Sequence, residues 1–175
     1  ARNVNDKIEV SVSPVMIPAQ HPLAKVNDSF NAVFVHGDAV DDVMFYGRGA
    51  GEFPTASAVM GDIIDVIRDM VNGCTGRISN TCYRELPVKK CRDIRSKFFL
   101  RMQVENRPGV LASIASVFGE HKVSINKVVQ KIITDGMAEV VIVTDAVKEY
   151  HMQDAQEELL RMPIVKEISS VIREY

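Results

Sequence analysis

From position 98 onward, hydrophobic and polar residues follow a regular succession of two periods. Residues 98–105 (FFLRMQVE), 124–133, 137–144 (MAEVVIVT) and 165–173 alternate or run β-branched, as half-buried strands do. Between them, 108–120 carries Val110/Leu111, Ile114 and Val117/Phe118 at helical spacing, and 146–162 carries Val147, Met152, Ala155 and Leu159 on one side. Thr134-Asp135-Gly136 supplies a hairpin turn. The order βαββαβ predicts the split, ferredoxin-like arrangement, an antiparallel sheet with two helices on one face.

The preceding residues are less regular. Ile8, Val10 and Val12 alternate with Glu9, Ser11 and Ser13, which predicts a half-buried strand interrupted by Pro14 and Pro18. Residues 31–36 and 40–46 are β-branched and aromatic on either side of Gly37-Asp38, a hairpin pattern. Pro54 suits a first helical turn, and Ala56, Val59, Met60, Ile63, Ile67, Met70 and Val71 recur at helical spacing up to an Asn72-Gly73 stop. Residues 72–97 lose all periodicity and gain Arg77, Arg84, Lys89, Lys90, Arg92, Arg95 and Lys97 against Glu85 and Asp93. That stretch reads as a linker whose charges are solvated, since no aromatic ladder is interleaved for stacking nucleic-acid bases. The fold class is therefore α/β (α+β): a partial sheet with a long helix, then the ferredoxin-like module.

Composition narrows the function classes. A chain of 175 residues suits one large domain or two small ones, and a net charge of −2 exerts no global pull toward nucleic acid or anionic membrane. Cys74, Cys82 and Cys91 form no C-x-x-C pair, which argues against zinc and against a full disulfide set, and suits a reducing cytoplasm. No apolar run reaches the roughly 18 residues of a membrane span, and ARNVNDKIEV lacks a signal peptide's apolar core.

The chemistry-bearing candidate is the glycine-rich run Gly47-Arg48-Gly49-Ala50-Gly51, between a strand and a helix start. Bare backbone there serves a phosphate, a flat ligand or a tight turn, and the spacing fits neither the dinucleotide fingerprint nor the P-loop. Asp62, Asp65 and Asp69 fall along the helix's polar side, and His21 and His36 read as turn or strand-surface residues. His121 and His151 have no ligand-like neighbour in sequence, so no metal site is assigned.

HPLAKV, FNAVFVHGDAVDDVMFYG and GAGEFPTASAVMGDII follow one another in one order with short gaps, and residues 8–71 thereby resemble the end of the catalytic region of homoserine dehydrogenases. These are NAD(P)-dependent enzymes that interconvert aspartate 4-semialdehyde and homoserine. The resemblance implies that Gly47, Gly49, Ala50 and Gly51 let backbone border the nicotinamide ring of NAD or NADP, while Pro54 and Thr55 aim the helix. Arg48, where a small residue or proline is commoner in the family, faces solvent or touches a cofactor phosphate. The family's dinucleotide domain, catalytic lysine and substrate-binding acids lie upstream of the matched part, so no catalytic residue is assigned here and the chain alone is expected to be inactive.

FFLRMQVENRPGVLASIASVFGEHKVSINKVVQK resembles an ACT domain, a regulatory amino-acid-binding module, over residues 97–175. Read physically, Asn106 is a good N-cap, and Arg107-Pro108-Gly109 opens a helix whose free N–H groups and dipole favour a carboxylate. The resemblance implies side-by-side pairing of copies, dimer or tetramer. An effector then lies between Asn106, Pro108, Gly109, Val110 and Leu111 of one copy and Ile125 and Asn126 of the next. Asn106 replaces the commoner Asp, and Val104 stands where serine-binding relatives carry His. Threonine, an end product of homoserine, is the expected effector, with the basic linker carrying its influence. The resulting organisation is 1–73 catalytic and dimerisation segment, 74–96 linker, 97–175 ACT domain. A stand-alone amino-acid sensor and a dimerisation platform are the alternatives.

Overall fold

The computed structural model describes residues 1–74, 84–134 and 136–175. Along the chain it runs β1 (Arg2–Val4), β2 (Lys7–Glu9), β3 (Val15–Met16), β4 (Phe30–Gly37), β5 (Asp41–Arg48), α1 (Glu52–Val71), β6 (Arg95–Glu105), α2 (Val110–Glu120), β7 (Ile125–Thr134), β8 (Met137–Thr144), β9 (Val147–Lys148), α3 (Glu149–Arg161) and β10 (Val165–Glu174). Short 3-10 turns occupy Pro22–Lys25 and Cys91–Asp93. The chain divides into one unit of residues 1–16 with 86–175 and another of residues 17–85.

In the larger unit the sheet order is β3-β10-β6-β8-β7, antiparallel from β10 to β7, which contains the expected ferredoxin-like βαββαβ order. Strict alternation builds its core. Phe98, Leu100, Met102 and Val104 of β6 and Ala138, Val140 and Ile142 of β8 point inward beneath Val110, Ile114, Val117 and Phe118 of α2 and Met152, Ala155 and Leu159 of α3. Thr144 is also buried, its Oγ1 accepting from the Phe98 N–H at 3.0 Å, so a polar side chain completes the end of the ladder.

Several expectations are corrected here. The strand expected through Ile8, Val10 and Val12 ends at Glu9, and Val12 is fully exposed. Asn5 and Asp6, at φ 53° and 56°, form a two-residue left-handed turn that pairs β2 with β1, and Glu9, the position the alternation directed to solvent, is the buried one. The basic stretch is not merely solvated. Lys89 pairs with Glu9, Arg95 donates to the Ala146 carbonyl at 2.7 Å, Arg92 lies over the Tyr150 ring, and β6 already begins at Arg95. Val147 is buried, but in β9 against β6, where Lys148 keeps extended backbone and delays α3 to Glu149. Arg77, Cys82 and Asp135 lie outside the described residues.

In the unit of residues 17–85, β4 and β5 form the expected hairpin, with Phe30 opposite Arg48 and Gly37 opposite Asp41. α1 ends as expected at Asn72-Gly73: Gly73 takes φ 64°, and the Cys74 N–H reaches back to the Asp69 carbonyl at 2.9 Å. No residue of α1 is buried.

Candidate functional site

The βαββαβ unit forms a cavity of about 380 Å³ where β6 turns into α2. Val104 and Val140 form its floor, Asn106 to Leu111 its wall, and Gln130 of β7 its far side. Five residues assigned from the sequence, Asn106, Pro108, Gly109, Val110 and Leu111, are thus brought together.

Their roles differ from the expected ones. Asn106 does not cap α2. Gly109, at φ 90°, occupies the N-cap position without a side-chain bond, because a left-handed residue there delays the helix to Val110. Asn106 instead donates its N–H to the Gly136 carbonyl at 2.9 Å and accepts from Gln130 Nε2 through Oδ1 at 3.3 Å. Arg107 folds onto Glu105 at 2.7 Å. Leu111, grouped with the core by periodicity, is 39% exposed and lines the cavity. The Val110 N–H turns back to the Arg107 carbonyl at 3.4 Å, and the start of α2 borders a small recess lined by both polar and apolar groups, the amides of Asn106 and Gln130 among them. Such a recess suits a molecule with a carboxylate and a short side chain.

Gln130 escaped the sequence reading because its place beside Asn106 depends on register. It pairs with Val140, across the sheet from β6, which no local pattern reveals. Ile125 and Asn126 stand at the other end of β7, where Ile125 pairs with Thr144. Within one chain they do not join the cavity. Ile125 packs on the core, and Asn126 donates to Asp145 Oδ1 at 3.0 Å. Hydrogen bonds from Asn126 and then Ser124 hold the Asp145 carboxyl below its usual value.

The glycine loop has its own geometry. A Cβ on Gly49 would stand 1.8 Å from Asn31 Nδ2, so a side chain there would push the exposed Asn31 amide aside. Gly51 takes φ 123°, a conformation that disfavours any side chain, and its carbonyl accepts the Thr55 N–H at 3.1 Å. Only open space lies around a Cβ on Gly47. Arg48 is exposed, as expected for a solvent-facing residue. It bonds Ser29 Oγ at 3.0 Å, with its guanidinium 4.8 Å from the Phe30 ring centre.

With Arg48 turned away and Glu52 in the first turn of α1, the loop lacks a cation for a phosphate. It offers bare backbone as a border to a flat ring and does not fit a phosphate as a cradle. The histidines are engaged locally. His21 Nδ1 accepts from the Leu23 N–H at 3.2 Å, His36 meets Asp42 at 2.7 Å, and His121 Nε2 meets Glu158 at 2.6 Å. Among the described residues, no cluster of His, Cys, Asp and Glu could hold a metal ion.

Residues 98–161 match the ACT domain family, so the module around the cavity is an ACT domain. Residues 1–64 match the homoserine dehydrogenase family. Homoserine dehydrogenase of Bacillus subtilis is 41% identical over 175 residues, 99% of this chain and 40% of its own length. That of Corynebacterium glutamicum is 42% identical over 95% of this chain and 37% of its length. The crystal structure of a homoserine dehydrogenase from Thiobacillus denitrificans superposes with a TM-score of 0.84 at 31% identity, over 99% of this chain and 40% of that one. The chain thus joins a segment of the homoserine dehydrogenase family to an ACT domain, and it spans about 40% of the length of the homoserine dehydrogenases it is similar to.

Proposed function

We propose that this chain is the part of an NAD(P)-dependent homoserine dehydrogenase that borders the cofactor and senses an amino acid, with threonine as the effector. The observation that carries the reading is the cavity at Asn106 to Leu111, inside a module whose chain continues into homoserine dehydrogenase sequence. An α-carboxylate would take the free N–H groups of α2. The amides of Asn106 and Gln130 would meet an ammonium or hydroxyl, and Val104 and Val140 a methyl group.

On the catalytic side, the cofactor supplies or accepts the hydride that interconverts aspartate 4-semialdehyde and homoserine. The contribution of this chain is positional: Gly47, Gly49, Ala50 and Gly51 would offer the ring backbone that carries no side chain larger than a methyl, and Pro54 and Thr55 set the start of α1 beside it. No residue of the chain is assigned a proton-transfer role, and purified alone it is expected not to oxidise NADPH or NADH with aspartate semialdehyde. Pairing of ACT copies, bringing Ile125 and Asn126 of one to the cavity of another, belongs to the same reading.

Amide chemical-shift mapping tests it. Threonine is expected to move the resonances of Gly109, Val110 and Leu111, with those of Ile125 and Asn126 following where copies pair. Shifts confined elsewhere would contradict the assigned site.

A further inference from the structure

Residues 1–16 match the dehydrogenase family in sequence, yet they are built into the same unit as the ACT sheet. Two attachments hold them. The Ile8 N–H donates to the Pro87 carbonyl at 3.0 Å and the Lys89 N–H to the Ile8 carbonyl at 2.8 Å, so β2 runs beside residues 87–89. Further on, β3 lies parallel to β10, Val15 opposite Arg173 and Met16 opposite Glu174, and the Tyr175 N–H donates to the Met16 carbonyl at 2.9 Å.

Between these attachments sits Glu9, 4% exposed, with Oε2 on Arg2 Nε at 2.7 Å and Oε1 on Lys89 Nζ at 2.6 Å. Arg2 also donates to the Arg95 carbonyl at 3.2 Å, where β6 begins. One carboxylate thus joins β1, β2, the segment at 89 and the first residue of a central strand. The chain leaves for the 17–85 unit directly after Met16 and returns at Leu86, directly before Pro87. The first exit therefore starts from β3, paired to the ACT sheet through β10, and the second from backbone paired to β2, whose hairpin reaches β6 through Arg2 and the Arg95 carbonyl.

Resting on the reading of the module as an amino-acid sensor, we infer that residues 1–16 are a strap, locked by Glu9 as its positioning residue, that ties both exits to the ACT sheet and transmits the state of the effector cavity. The basic stretch at 72–97 alone is then not the route. A buried carboxylate shared by two cations suits the task, because removing its charge leaves both cations without their common partner and frees several segments at once.

Hydrogen exchange on the whole 175-residue chain decides the matter. Glu9→Gln is expected to speed exchange at Ile8, Lys89 and Tyr175 together, by about tenfold or more, and to leave Leu100 and Met102 unchanged. Acceleration at Ile8 and Lys89 without Tyr175 would make Glu9 a local ion pair and overturn the strap. In the intact dehydrogenase carrying this sequence, the same variant is expected to keep basal turnover and effector binding while the effect of bound effector on turnover falls by about fivefold or more. Full retention of that effect would also overturn the proposal. Should no amino acid alter the unsubstituted enzyme, the sensor reading fails, and the exchange pattern still decides whether the strap exists. Arg2→Ala, at a side chain 61% exposed, reports the same pattern if Glu9→Gln does not fold.

Discussion

Glycine 49 shows how a residue can be legible for one reason and constrained for another. The sequence marks it as bare backbone beside a helix start, and the resemblance connects that bareness to a cofactor. Asn31, across the hairpin, lays its side chain where a Cβ on Gly49 would stand. Gly49→Ala is therefore expected to displace the exposed Asn31 amide and to destabilise the hairpin unit by at most about 1 kcal/mol, measurable by denaturant unfolding. Gly47 has no such neighbour. Gly47→Ala is expected to leave the stability of the fold within about 0.5–1 kcal/mol and, in the intact enzyme, to raise the KM for NAD(P)H. An unchanged KM would remove Gly47 from the cofactor border.

Glu9 is the residue the alternation misplaced, because a two-residue turn and a distant lysine, not the strand period, decide which face is covered. Its hydrogen bond from Lys89, and then the Arg2 pair, hold its carboxyl below the usual 4.5 against the opposing effect of burial. A depressed folded-state value means the stabilisation is complete above that usual value and is lost as pH falls through the lower one. Acid titration followed by exchange at Lys89 is expected to show loosening only below about 4.5, and Glu9→Gln to abolish that pH dependence.

At the scale of elements, the sequence reveals what repeats locally. β6 and β8 alternate cleanly, α2 and α3 place their apolar residues one turn apart, and those same residues form the core. Ile114, fully buried at the centre of α2, is expected to cost about 2–5 kcal/mol on Ile114→Ala, read from the denaturation midpoint. β3 and β9 are two residues each, too short for any period, and exist because β10 has a free edge and β6 extends past its neighbours at Arg95 and Ser96. α1 illustrates the converse. Its amphipathic spacing was plain, yet Phe53, Met70 and Val71 are 84%, 75% and 80% exposed, since periodicity fixes which face is apolar and not what covers it. The cavity was half legible: the N-R-P-G-V-L run locates its wall, whereas Gln130 and Val140 reach it through strand register alone.

For the whole molecule, the central claim is that the ACT cavity binds a small amino acid, in a chain that spans about 40% of the length of the homoserine dehydrogenases it matches. Thermal unfolding of the chain during titration with threonine, isoleucine, methionine and serine, beside Leu111→Arg, which fills the cavity from an exposed position, tests it most directly. Threonine is expected to stabilise the unsubstituted chain, by about 2.7 kcal/mol at a hundred times its Kd, and to leave Leu111→Arg unmoved. Stabilisation by none of the four, or equal stabilisation of Leu111→Arg, would contradict the account.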